Sequence, residues 1–224
     1  MSYYYHGSNK IVASPIFGAG NPKNDYGLGF YCTEHPELAK EWASSEGNDG
    51  FVNKYHLEWQ GLSVLHLNHA PFNILNWLAI LLKNRSFDLK APLSVQAKNY
   101  MLDHFLPAYQ EADVMIGYRA DDSYFSFSKT FLDNTISIEQ LKRAMHLGKL
   151  GEQVVFKSQE AIGRLVFDEV IPVDSHTYYP LRLSRDRNAR DEFTRILAET
   201  PTTDAHYMID ILREKWENDD PRLF

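Results

Sequence analysis

Cysteine is almost absent from this sequence, because Cys32 is the single one among 224 residues. An intramolecular disulfide is therefore excluded, which favours a reducing compartment and predicts a cytoplasmic protein. Long apolar runs are also missing: the longest, around residues 74–82, is far too short to cross a bilayer. No basic and apolar leader opens the chain, so neither a signal peptide nor a membrane location is predicted.

Basic side chains are outnumbered, with 23 Lys and Arg against 30 Asp and Glu and a formal charge of −7. This balance argues against broad, non-specific binding of nucleic acid, which depends on clustered Lys and Arg. A local basic patch remains open. The strongest basic cluster consists of Arg182, Arg185, Arg187 and Arg190, and it fits either a solvated helix start or a patch for nucleic acid or a partner.

Apolar side chains are plentiful, at 44% of the residues, which is enough for the core of a single folded domain over residues 1–224. Strand-like patterns gather towards both ends, and helical spacing of apolar residues dominates between them. The sequence therefore predicts an α+β fold with a mainly helical insertion at 68–148 and a helical C-terminal extension at 184–224. Strands are predicted at 2–5, 29–33, 51–58, 62–67, 113–120, 151–157 and 165–173, and a helix at 36–45.

Three short segments stand out, each attached to a strand-like run. Residues 5–9 read Tyr-His-Gly-Ser-Asn, residues 27–31 read Gly-Leu-Gly-Phe-Tyr, and residues 151–156 read Gly-Glu-Gln-Val-Val-Phe. Taken singly, each has a plain structural explanation: a strand end and turn at His6, a hairpin turn before Tyr31, and a solvated carboxylate at Glu152. Their joint occurrence in this order, with Trp42 eleven residues after Tyr31, favours a common site.

These segments resemble the His-Tyr-Glu branch of the ADP-ribosyltransferases, which includes the poly(ADP-ribose) polymerases and diphtheria-type toxins. The chain is still more similar to a bacterial family of uncharacterised domains with Tyr-His-Gly-Ser, Asp-(Phe/Tyr)-Gly-x-Gly-Phe-Tyr and Gly-Tyr-Arg-Ala-Asp-Asp-Ser-Tyr-Phe motifs. Residues 25–31 and 117–125 match the last two, and the likeness covers about residues 4–157. It implies two split, mostly antiparallel sheets that form a cleft for NAD.

The resemblance also implies a role for each matching residue. NAD cleavage needs a flat surface for nicotinamide, backbone groups for its carboxamide, and a carboxylate to stabilise the oxocarbenium-like ribose. The expected catalytic residues are Glu152, His6 and Tyr31. The expected NAD-binding residues are His6, Gly7, Ser8, Asp25, Gly29, Tyr31 and Trp42, with the loop at 15–26 over the donor.

The acceptor side is less defined by the sequence. Arg119, Asp121, Asp122 and Tyr124 fit either a set of acceptor-side residues or a turn with solvated acids, and both interpretations remain open. Two positions depart from the resembled pattern: Cys32 replaces an aromatic residue, and Leu150 stands where arginine-modifying toxins keep Glu or Gln. The second departure argues against arginine modification.

The sequence gives weaker support for a metal site and for a cysteine nucleophile. His66 and His69, with His56 nearby in sequence, have a spacing that zinc sites use, but no partner completes a site, so no metal is predicted. Cys32 as a nucleophile is a still weaker alternative.

The resemblance therefore implies an NAD-dependent transferase that mono-ADP-ribosylates a protein, RNA or DNA target, with NAD as a substrate. Polymer synthesis is not expected, because the extra regulatory region of the polymerases is missing. By analogy, the protein is expected to be a bacterial toxin of a toxin–antitoxin or phage-defence system, or an effector, with a neutralising antitoxin as a partner. An NAD glycohydrolase and a non-catalytic NAD-binding or interaction module are the alternatives.

Overall fold

The computed structural model describes residues 2–120, 122–200 and 202–224, without the side chain of Asp122. Over these ranges the chain forms two β-sheets and eight α-helices, which confirms the predicted α+β class. The strands are β1 (Ser2–Ser8), β2 (Phe30–Cys32), β3 (Gly50–Leu57), β4 (Val64–His66), β5 (Val114–Tyr118), β6 (Glu152–Phe156) and β7 (Val166–Val173). The helices are α1 (Pro36–Ala43), α2 (Ile74–Asn84), α3 (Pro92–His104), α4 (Asp122–Leu132), α5 (Ile138–Ala144), α6 (Gln159–Gly163), α7 (Ser175–Leu197) and α8 (Met208–Glu214).

The strands form a three-stranded sheet in the order β1-β3-β7 and a four-stranded sheet in the order β2-β6-β5-β4. All neighbouring strands are antiparallel except β4 and β5, which are parallel. The two sheets meet at one point, where Tyr5 and Thr33 exchange backbone hydrogen bonds of 2.8 and 3.0 Å. The mostly antiparallel, split arrangement agrees with the expectation from the sequence.

Three apolar clusters in the described ranges hold these sheets; the smallest packs α1 against the three-stranded sheet, and the other two are larger. The largest one surrounds the buried helix α2, whose residues 75–82 are each no more than 2% exposed, and packs it against the four-stranded sheet and other helices. The second largest lies between the sheets and joins Tyr4 and Tyr55 to Val154 and Phe156. Because successive residues of a strand face opposite sides, alternate residues of β6 face the largest cluster and the second largest cluster.

Helix α1 packs unusually close to β1. A Cβ atom on Gly7 would lie 2.1 Å from the carbonyl oxygen of Ala39 and 3.0 Å from the Cβ of Trp42. Only glycine allows this approach, and the approach sets Trp42 beside the end of β1.

Two local features differ in detail from what the sequence suggests. The C-terminal helix begins at Ser175 rather than at 184, with Pro180 inside it. The Asp174 side chain caps its start by accepting from the backbone N–H of His176 at 3.2 Å. The segment after Tyr118 is also not a simple turn, because α4 starts at Asp122; Asp121 lies outside the described residues.

No helix in the described part of the chain combines the length and the apolar character that crossing a bilayer requires.

Candidate active site

A cleft of about 790 Å³ opens beside the four-stranded sheet, which is within the size range of ligand sites. One side, here called the sheet wall, consists of Asp25, Tyr31, Arg119, Ala120 and Gln153. Another side of the cleft, here called the helix wall, consists of Tyr179, Arg182, Leu183 and Asp186 of α7. Trp42, Ser45 and Glu46 around the end of α1, with Asn24 and Arg85, complete the lining.

Three aromatic side chains line the cleft, Tyr179 of the helix wall and two others, Tyr31 and Trp42. The Tyr31 hydroxyl donates to the carbonyl of Gly27 at 2.6 Å and accepts from the backbone N–H of Tyr26 at 3.1 Å, so its ring is held in one orientation. Burial raises the pKa of this phenol far above its ordinary value, which keeps it protonated. Trp42 stacks on the guanidinium of Arg119, whose Cζ lies 4.0 Å from the indole centroid. The indole face therefore already holds a flat cation.

Asp25 is the centre of the polar network in the sheet wall. Its carboxylate is 6% exposed and accepts hydrogen bonds from the Ala120 backbone N–H at 2.9 Å, from Gln153 Nε2 at 3.0 Å and from Arg85 Nη1 at 3.1 Å. Burial raises the pKa of Asp25, although these bonds and the nearby guanidinium groups oppose the rise. Asp25 therefore lines the cleft, and its predicted role in NAD binding stays a prediction.

Three guanidinium groups reach the cleft: Arg85, Arg119 and Arg182. They come from distant parts of the chain, after α2, after β5 and within α7. Since guanidinium groups bind phosphate oxygens in a fixed fork, this set is suited to an anionic, phosphate-containing ligand.

The helix wall is attached through a bidentate ion pair. Arg185 donates to both carboxylate oxygens of Glu41 on α1, at 2.9 and 2.7 Å, and to the carbonyl of Gly148 at 2.6 Å. The Glu41 side chain is only 5% exposed. The basic cluster predicted around 182–190 is thus divided: Arg182 lines the cleft, Arg185 anchors the helix, and Arg190 pairs with Asp186 at 2.8 Å.

His6 lies behind the cleft rather than in it. Its Nδ1–H donates to the carbonyl of Tyr31 at 2.8 Å, and its ring packs on Phe30 with centroids 4.4 Å apart. Burial lowers the pKa of His6, so the ring is neutral near pH 7. The neighbouring Gly7 packs closely against α1. The Ser8 hydroxyl accepts a hydrogen bond from the backbone N–H of Lys10 at 3.2 Å. His6 thus supports the strand that carries Tyr31.

Glu152 lies away from this cleft, which corrects the expectation that it shares a surface with Tyr31. Its Oε1 accepts from His66 Nε2 at 2.8 Å and from Asn68 Nδ2 at 2.7 Å, and the side chain is 39% exposed. The reason is the strand register: Tyr31 pairs with Val155, whereas Glu152 is on the face of Val154. The next residue, Gln153, faces the cleft instead.

The remaining predicted residues are distributed unevenly. Arg119 lines the cleft, whereas Tyr124 is 1% exposed, packs against Phe127 and does not line it. Gly29 packs against β6, since a Cβ there would lie 2.6 Å from a methyl of Val155. The rings of His66 and His69 are tilted by 39° to each other, with centroids 3.8 Å apart. No group of three or more His, Cys, Asp or Glu arranged for a metal ion occurs in the described ranges.

Sequence reasoning missed Gln153, Arg85 and most of the helix wall. A signal for Gln153 was present, because pairing the two predicted strands with alternation places either Glu152 or Gln153 on the side of Tyr31, and only the register decides between them. Arg85 and Tyr179 had no comparable signal.

The family match covers the first six strands and ends at the start of β7. The chain belongs to the family described as Protein of unknown function (DUF3990), whose model matches residues 3–167 of the 224. Comparison with the curated proteins gave no match, and comparison with the solved structures gave none. The family match includes the sheet wall and α1 and ends before α7.

Proposed function

We propose that the cleft binds NAD and that the protein is an NAD-dependent ADP-ribosyltransferase, which transfers ADP-ribose to a macromolecule and releases nicotinamide. The observation that carries the proposal is the combination, in one cleft, of two aromatic rings, Tyr31 and Trp42, with three guanidinium groups. A dinucleotide with a flat cationic ring and a pyrophosphate requires both kinds of group.

The stack of Arg119 on Trp42 supports a nicotinamide site. The oxidised nicotinamide ring is a flat cation, as the guanidinium is, so it would take the place of Arg119 on the indole face and leave the guanidinium to bind a phosphate. Tyr31, fixed by its two hydrogen bonds, supplies a second rigid aromatic surface.

The guanidinium groups support a pyrophosphate site. The chain as a whole has a charge of −7, yet the cleft brings together Arg85, Arg119 and Arg182. The carboxylates of Asp25, Glu46 and Asp186 line the same cleft, so the guanidinium forks, rather than a net positive field, are what suits a phosphate group.

The fold supports the same class of protein. Two small, mostly antiparallel sheets joined by the Tyr5–Thr33 bridge are consistent with the ADP-ribosyltransferase-like arrangement that the sequence motifs imply. In the cell, we propose mono-ADP-ribosylation of a protein or nucleic acid by a bacterial toxin or effector, with an antitoxin as a possible class of partner.

Binding is tested first, by calorimetric titration of NAD into the purified protein. Arg182→Ala should weaken NAD binding about tenfold or more, because a charge-assisted bond contributes roughly 1.5–3 kcal/mol. Arg187→Ala is the matched control, since Arg187 is exposed on the same helix and does not line the cleft. Equal affinity of both variants and the wild type would contradict the assignment of the cleft.

Turnover is tested with NAD labelled in its adenylate part, added to the protein together with cell extract. Label on protein or nucleic acid supports transfer, and mass spectrometry of the labelled fraction identifies the acceptor. Free ADP-ribose without labelled macromolecule identifies a glycohydrolase, and binding without turnover identifies a non-catalytic module. Absence of NAD binding contradicts the proposal altogether.

A further inference from the structure

Two adjacent residues at the start of β6 face opposite sides of the four-stranded sheet. Tyr31 pairs with Val155 and Cys32 with Val154, so Gln153 lies on the same face as Tyr31, and Glu152 lies on the face of Cys32. Gln153 lines the cleft and is 4% exposed. The polar group that the sheet offers beside Tyr31 is therefore an amide.

The Gln153 amide has a defined orientation. Its Nε2 donates to Asp25 Oδ2 at 3.0 Å, and the reversed amide would set two oxygens against each other, so Oε1 is directed away from Asp25. Asp25 is itself held by the Ala120 backbone and by Arg85. The pair thus presents one hydrogen-bond acceptor backed by a buried carboxylate.

Glu152 has a different environment. Its carboxylate is shared by His66 and Asn68, which come from the end of β4 and the residues after it. To reach the cleft, Glu152 would have to leave both donors and shift β6 by one residue, which would turn Val154 and Phe156 out of the apolar cluster between the sheets.

We propose that Gln153 is the catalytic residue that holds the reacting ribose of NAD, that Asp25 is its positioning residue, and that Glu152 takes no direct part. This inference depends on the proposed function. The Gln153 Oε1 would accept a hydrogen bond from the 2′-hydroxyl of the nicotinamide ribose, as a carboxylate does in glycoside chemistry.

The reaction balances without any further reagent. The bond between ribose C1′ and the nicotinamide nitrogen breaks, and neutral nicotinamide leaves with the electron pair. The acceptor nucleophile gives an electron pair to C1′ and releases its proton to water. Asp25, acting through the polarised amide, supplies the negative charge that stabilises the cationic ribose.

An amide at this place has a consequence that a carboxylate would not have. In Gln153→Glu, the new carboxylate would face that of Asp25 across about 3.0 Å, so one of the two would be protonated or displaced. The substitution should therefore lower NAD turnover, whereas a site built for a catalytic carboxylate would gain from it.

The test measures kcat for NAD cleavage and the Kd for NAD in four variants, with thermal unfolding as a check on folding. Gln153→Ala and Gln153→Glu should lower kcat about 100-fold, the size expected for one lost transition-state hydrogen bond, with Kd changed less than about threefold. Glu152→Gln should stay within about threefold of the wild type in both. Asp25→Asn should lower kcat and change its acidic pH dependence, which a purely structural residue would not do.

The outcomes separate the two proposals. A wild type that neither binds nor cleaves NAD overturns the proposed function and this inference with it. A wild type that cleaves NAD, together with an inactive but folded Glu152→Gln and an active Gln153→Ala, overturns this inference alone. If Gln153→Ala unfolds, the decision rests on Gln153→Glu, which preserves the size of the side chain. Wild-type or higher NAD turnover in Gln153→Glu overturns the assignment of Gln153 as the catalytic residue.

Discussion

The two walls of the cleft are built in different ways. The sheet wall is held by strand pairing and by the hydrogen bonds that converge on the buried Asp25. The helix wall belongs to one long helix, α7, which is attached to α1 by the Arg185–Glu41 ion pair between residues 144 positions apart. The family model matches the first wall and ends before the second.

The two walls therefore also differ in whether the family model includes them. The groups assigned to the NAD donor, Tyr31, Trp42 and Gln153, come from the region matched by the family model, whereas Arg182 comes from outside it. Changes that affect one wall and spare the other can therefore test the division.

The largest effect is expected from Arg185→Ala. It would leave Glu41, 5% exposed, without its cation, and losing one partner of a largely buried ion pair costs about 3 kcal/mol of the free energy of unfolding. Denaturant unfolding measures this change. The control is Arg190→Ala, whose exposed pair with Asp186 should contribute less than about 0.5 kcal/mol. Equal effects of the two substitutions would mean that the ion pair does not anchor the helix wall.

A smaller effect is expected from Asp25→Ala in the sheet wall. The substitution leaves the Ala120 backbone N–H and the Gln153 amide without their acceptor, but it also removes a buried charge whose pKa is raised by burial. A net loss of about 2 kcal/mol is expected, and Asp25→Asn, which keeps one acceptor oxygen, should lose less. Unfolding in urea checks the order of the two variants. If Asp25→Ala is as stable as the wild type, the network contributes nothing to the sheet wall.

The sheet wall was largely predictable from the sequence, and the helix wall was not. Strand alternation and turn residues predict β1, β2 and β6 to within a few residues, and they place Tyr31 beside a Gly-rich loop. The choice between Glu152 and Gln153 depends on the pairing register, which is set by packing between distant strands. The position of α7 depends on Arg185 meeting Glu41 and on a helix that continues through Pro180, and neither has a local signal.

The smallest effect should come from His6, and it should depend on pH. Burial lowers the pKa of His6 in the folded protein below its ordinary 6.5, so the unfolded chain binds a proton first as the pH falls. Stability is therefore fully present above 6.5 and is lost as the pH falls towards the folded pKa, by at most about 1.4 kcal/mol per pH unit.

The measurement is urea unfolding of the wild type and of His6→Gln at pH 7.5 and 5.5. The variant retains a donor for the Tyr31 carbonyl but cannot titrate, so it should lose less stability between the two pH values than the wild type. Hydrogen exchange should locate the extra loss in β1 and β2, behind the sheet wall, with α7 unaffected. A wild type and variant with the same pH dependence would show that His6 does not couple protonation to this wall.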